Sequence, residues 1–182
     1  MTVSYKALSQ TEAQKALLTA DDLPLGWQAA PSKNPGPRDV DPAKCSVILQ
    51  ALDQPTNPVA KVAAAFSSDT DLSLQLTITS WPTDQSLLLR KVVAASKRCT
   101  SFSAGASTSF IVNEIALPNL GDTIVLRLEG LNGNLGFTQY VAYVVRGQNV
   151  LRLQTNGLWW DDADVEQTLR PAVARLETAV AR

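Results

Sequence analysis

The segment from Asp122 to Thr155 constrains the fold more than any other. It reads TIVLRLEG, LGFTQYVAYVVRGQ and NVLRLQT, three strand-like runs separated by short turns. In the first run Ile124, Leu126 and Leu128 alternate with Val125, Arg127 and Glu129, the period of two expected of a strand. In the third, Leu151 and Leu153 alternate with Arg152 and Gln154. The middle run is apolar on both sides, with Phe137, Val141, Tyr143 and Val145 on one and Tyr140, Ala142 and Val144 on the other. Such a pattern belongs to a strand with two neighbours and cover on both faces. Asn132-Gly133-Asn134 and Gly147-Gln148-Asn149 supply the left-handed residues that tight hairpins need. The segment is therefore an antiparallel meander whose central strand runs from Tyr140 to Val145.

Upstream, Ser9-x-x-Glu12 is a capping-box pattern ahead of the helix-forming TEAQKALL, and Thr19 to Asp22 starts a second short turn. Ala30 to Val40 is a proline- and glycine-rich loop. Asp41-Pro42 reads as an N-cap followed by proline at the first helical position. Cys45, Ile48, Leu49 and Leu52 then share one stripe of a helix that ends between Asp53 and Pro58. KVAAAFSS and DLSLQLTITSW form a hairpin. Pro82 opens another helix, with Leu88, Val92, Ala95 and Cys99 on its inner side. Ser107 to Leu117 is a further strand. After the meander, Val165, Leu169, Val173, Leu176 and Val180 mark a terminal helix, in which Pro171 predicts a kink or a restart. The expectation is one α+β domain over residues 1–182: an antiparallel sheet of about six strands, helices packed on one face, and a closing C-terminal helix.

Composition excludes more than it assigns. The net charge is −1 and charged residues make up 18% of the chain, so no basic footprint for nucleic acid exists. No apolar run reaches the ~20 residues that span a bilayer. MTVSYKALSQ lacks a signal-peptide core, which leaves a cytosolic protein or one whose leader lies upstream of Met1. The two cysteines admit two readings, free buried thiols or a bridge. Their positions on the inward sides of two helices favour a Cys45–Cys99 disulfide, and with it an oxidising compartment.

There are no histidines, which removes Ser-His-Asp and Cys-His catalysis and most zinc sites. No GxGxxG, P-loop or CxxC pattern occurs. Neither a catalytic residue, a metal site nor a cofactor is expected. Asp161, Asp162 and Asp164 are explained by capping and by the helix dipole. Arg127, Arg152, Gln154 and Gln75 fall on polar strand faces and, with Tyr140, are candidates to line a groove for an anionic ligand. A solvated sheet face is the plainer reading of the same residues. Trp159-Trp160 is a candidate recognition platform, or a plug at the edge of the core.

The order of features resembles a known family. LLTADDLPLGW, DPAKCSVILQALD, KRCTSF, a PNLGD turn, RGQNVLRL and a closing amphipathic helix are similar to the PknH-type extracellular sensor domain of actinobacterial receptor Ser/Thr kinases, also found in stand-alone lipoproteins. The resemblance implies helices and an antiparallel sheet around a cleft for an unidentified ligand. It also implies two disulfides, whereas this chain has cysteines for one. That difference favours a divergent lipoprotein relative over the kinase-attached group. A second resemblance, to PsbP-like actinobacterial lipoproteins, implies a similar helix-flanked sheet. The function expected is a non-catalytic extracytoplasmic ligand-binding or sensor module, membrane-anchored or secreted, with contact to the membrane only through an anchor upstream of Met1. Its partner would be a small ligand or a cell-envelope protein. The alternative is a protein-interaction or scaffold domain of the envelope.

Overall fold

The computed structural model describes residues 5–32, 39–53 and 56–181. The expected loop over Ala30 to Val40 and the expected helix end between Asp53 and Pro58 lie partly outside them. Among these described residues nine strands form a single sheet: β1 (Trp27–Ala30), β2 (Val40–Asp41), β3 (Ala60–Ser68), β4 (Ser73–Ser80), β5 (Ser101–Ala104), β6 (Thr108–Ile115), β7 (Thr123–Asn132), β8 (Leu135–Arg146) and β9 (Asn149–Asn156). Their order is β1-β3-β4-β9-β8-β7-β6-β5-β2, and every pairing is antiparallel. The strand that is apolar on both sides, β8, occupies the middle of the nine. The meander is thus confirmed. The expected six strands become nine because β1, β2 and β5, of four, two and four residues, extend the edges.

Four α-helices among the described residues accompany the sheet: α1 (Gln10–Ala16), α2 (Ser46–Gln50), α3 (Ser86–Arg98) and α4 (Asp162–Val180). They do not share one face, and this corrects the sequence expectation. α1 and α4 pack over one side, where Leu76, Ala142, Val144, Leu151 and Leu153 meet Val165, Leu169, Val173 and Leu176. α2 and α3 pack over the other, where Leu126, Leu128, Val141 and Tyr143 meet Ile48, Leu88 and Val92. The reason lies in β8, whose two apolar rows each need a helical layer to leave water. These two sides are referred to as the α4 face and the α3 face.

Local signals hold with two changes. The capping box at α1 forms reciprocally: Ser9 Oγ accepts from Glu12 N–H at 3.3 Å, and Glu12 Oε2 accepts from Ser9 N–H at 2.9 Å. Asp41 is not a helix cap. It ends β2, paired with Ser103, and Pro42 caps a short 3₁₀ turn (Ala43–Cys45) ahead of α2. α4 continues through Pro171 without restarting, since its buried stripe runs unbroken from Val165 to Val180 on both sides of the proline. Cys45 and Cys99 are both buried and form the disulfide, with a Cα–Cα distance of 5.8 Å, fastening the start of α2 to the end of α3. No helix is long and apolar enough to cross a membrane among the described residues.

Candidate functional site

Strand register decides which polar side chains can act together. Arg127 lies opposite Tyr140 in the β7–β8 pair, on the α4 face. Thr77 lies opposite Arg152 and Gln75 opposite Gln154 in the β4–β9 pair; Arg152 in turn lies opposite Tyr143, on the α3 face. The five residues expected to line one groove therefore lie on two faces of the sheet. Arg127, Tyr140 and Trp160 belong to the α4 face, and Gln75, Arg152 and Gln154 to the α3 face. Trp159 belongs to neither; it is 76% exposed next to the buried Trp160.

On the α4 face the polar groups are already engaged with one another. Tyr140 Oη donates to Asp162 Oδ1 at 2.6 Å, and Arg127 Nη1 stands 3.5 Å from the same oxygen. Arg127 Nε is 3.3 Å from Glu129 Oε1 but is not aligned for a hydrogen bond. Burial, together with the hydrogen bond to Asp162, raises the Tyr140 phenol above its ordinary range, so it stays a donor. Asp161 caps α4 by accepting from Asp164 N–H at 2.8 Å, and burial and then Asp161 raise Asp164. Trp160 packs on Trp27 at 5.6 Å and donates from Nε1 to Asn156 O at 3.1 Å. A concavity of about 530 Å³ opens here. Its polar floor closes on itself as a clamp that fixes the start of α4 to the sheet.

The α3 face differs. Thr79, Thr77 and Gln75 follow each other on β4, spanning about 13 Å at ~3.3 Å per residue. Arg152 and Gln154 stand beside them on β9. Gln139 lies two residues before Val141, the partner of Gln154, and so joins the same face on β8. Arg152 Nη2 donates to Gln154 Oε1 at 2.7 Å, and its guanidinium sits 6.0 Å from the centre of the Tyr143 ring. Tyr143 Oη donates to Ile48 O at 2.9 Å, linking this floor to α2. Four side-chain donors on this side are buried without a hydrogen-bond acceptor among the described residues: Thr79 Oγ1, Trp81 Nε1, Gln139 Nε2 and Arg152 Nε. Buried donors are ordinarily paired, so such a group is informative. The strip ends in a concavity of about 540 Å³ at Thr79 and Trp81, and in another of about 560 Å³ at Gln139 and Asn156.

Arg152 is distinguished by its charge. Arg127, Arg146, Arg170 and Arg175, the other arginines among the described residues that are not exposed, each pair with a carboxylate. Arg152 forms no ion pair among the described residues. Sequence reasoning missed Thr77, Thr79, Trp81 and Gln139. The signal for Gln139 was present, as an amide in the same row as Phe137 and Val141.

No protein-family model matches the sequence, and no curated protein matches it. Solved structures do. The extracellular domain of PknH from Mycobacterium tuberculosis superposes with a TM-score of 0.75 at 13% identity, covering 97% of this chain and 98% of that one. An uncharacterised protein from Mycobacterium smegmatis, the Rv0999 ortholog, gives 0.54 at 14% identity over 96% and 97% of the two chains. The chain thus has the PknH-type sensor-domain fold.

Proposed function

We propose that this chain is a non-catalytic, extracytoplasmic ligand-binding or sensor module, and that its ligand carries an anionic group which seats at Arg152 on the α3 face. The carrying observation is the half-buried guanidinium that has no carboxylate partner among the described residues, set in a strip of amides and hydroxyls. A partly desolvated cation attracts an anion more strongly than an exposed one does. The Cys45–Cys99 disulfide and the likeness to an extracellular domain support a place outside the cytoplasm.

The test is thermal unfolding at constant ionic strength with inorganic phosphate, acetate, succinate or citrate. A saturable rise in Tm with at least one of them, lost in Arg152→Met, is expected, because a ligand bound only to the native state stabilises it in proportion to its occupancy. No Arg152-dependent rise with any of the four defeats the proposal.

A second reading, an envelope scaffold domain, draws on the exposed apolar residues Leu25, Leu131, Leu135, Leu158 and Trp159. All five lie at the end of the sheet where the β3–β4 and β7–β8 hairpins turn. Exposed apolar surface marks docking sites where it gathers into a patch. Photocrosslinking from position 159 in cells would produce one discrete protein adduct under this reading and none otherwise.

A further inference from the structure

One cross-strand row on the α3 face is aromatic almost throughout. Phe102 lies opposite Phe110, Phe110 opposite Gly130, and Gly130 opposite Phe137, so the row crosses β5, β6, β7 and β8. Adjacent rings stand 5.2 Å and 5.7 Å apart between centroids, the second pair edge-to-face at 86°. Phe110 and Phe137 meet although a strand separates them, because Gly130 has no side chain between them. A Cβ there would lie 2.3 Å from Phe137 Cζ. Phe102 and Phe110 are buried, while Phe137 is half-buried and lines the concavity of about 560 Å³.

The same cavity is bordered by Gln139, Asn156, Thr108 and Asp39. Gln139 is 1% exposed, and its Nε2 has no acceptor. The site thus combines an aromatic wall, an unpartnered amide and a carboxylate at the rim. A carboxylate there disfavours an anion. An apolar ring face suits Phe137, and a hydroxyl, which both donates and accepts, satisfies the amide as well as Asp39. Pockets that pair apolar walls with a few placed polar groups select ligands of this mixed character.

We infer that this cavity is a subsite for the ring of a neutral, polyhydroxylated ligand of the pyranose-sugar class, stacked on Phe137 with a hydroxyl on the Gln139 amide. The inference deepens the reading of the α3 face as the ligand-binding face and rests on it. It concerns a separate position, however. Tyr143, beside Arg152, is six residues along β8 from Phe137, about 20 Å at ~3.3 Å per residue. One monosaccharide cannot touch both.

The test follows the Gln139 side-chain amide and the Gly130 backbone amide of the full chain by nitrogen–proton correlation NMR. The probes are glucose, galactose, N-acetylglucosamine, cellobiose and chitobiose. Saturable shifts of both signals with at least one sugar are expected. Phe137→Ala should weaken binding by about tenfold. Gln139→Leu, which keeps the volume of the side chain, should weaken it as well. If no sugar moves these signals while an anion still raises Tm through Arg152, the subsite is refuted and the proposed function stands. If neither occurs, both fall. Shifts at Gln139 produced by phosphate or citrate in place of sugars also overturn the sugar assignment.

Discussion

Gly130 and Phe137 form a single fitted unit: they pair across β7 and β8, and three carbons of the ring lie within 2.7 Å of where a Cβ on residue 130 would be. Gly130→Ala must therefore push the ring away or shift a strand. Overpacking of this kind costs about 1–3 kcal/mol. Urea unfolding should show that loss in Gly130→Ala and a clearly smaller one when the substitution is made in a Phe137→Leu background. Equal losses in both backgrounds would mean that the ring is not what the glycine accommodates.

The disulfide joins residues 54 apart in sequence. Closing a loop of that length contributes roughly 4 kcal/mol by restricting the unfolded chain. The double variant Cys45→Ala/Cys99→Ala should lose about that much in denaturant unfolding. Thiol titration of the denatured wild-type protein should count zero thiols without reductant and two with it. Two thiols before reduction would remove the support that the bridge lends to an extracytoplasmic location.

What the sequence made legible follows from which signals are local. β8 could be placed at the centre because both of its rows, Val141-Tyr143-Val145 and Tyr140-Ala142-Val144, are apolar, and that information sits within one strand. β2 and β5 are too short to show a period, and their pairing depends on a contact between Val40 and Ala104 that is far apart in the chain. The same limit divided the candidate site. Alternation says that Arg127 and Arg152 each point to the polar side of their own strand. Only the registers Arg127–Tyr140 and Tyr143–Arg152 reveal that these sides are opposite faces of the sheet. The Phe102–Phe110–Gly130–Phe137 row was equally hidden, since each of its members belongs to a different strand.

Arg146 is the hub at the far end of β8. Its side chain is 4% exposed, donates to Leu120 O at 2.6 Å and Val145 O at 2.8 Å, and pairs with Glu177 of α4 at 2.7 Å. Glu177 is half-exposed, so its half of the pair is screened. Glu177→Gln should cost about 1 kcal/mol or less. Arg146→Met, which leaves buried carbonyls without donors, should cost about 3 kcal/mol. Chemical denaturation of the two variants checks the asymmetry, and equal losses would contradict it.

Alkaline pH tests the burial of the two sheet tyrosines. Burial raises both Tyr140 and Tyr143 above the ordinary phenol value of 10.0, with Asp162 adding to the effect at Tyr140. A raised value means that the native state holds the proton more tightly than the unfolded chain. The stabilisation is therefore complete below about pH 10 and is lost as pH rises above the unfolded value toward the higher folded one. Wild-type stability should fall above pH 10, and the phenolate absorbance of these two residues should appear only together with unfolding. Tyr140→Phe removes one of the two contributions, so its stability should fall less steeply over the same range. It should also lose part of its stability at neutral pH, because Asp162 then loses the donor that ties α4 to the sheet. A Tyr140→Phe profile parallel to that of the wild type above pH 10 would show that this phenol is as open to solvent as in the unfolded chain.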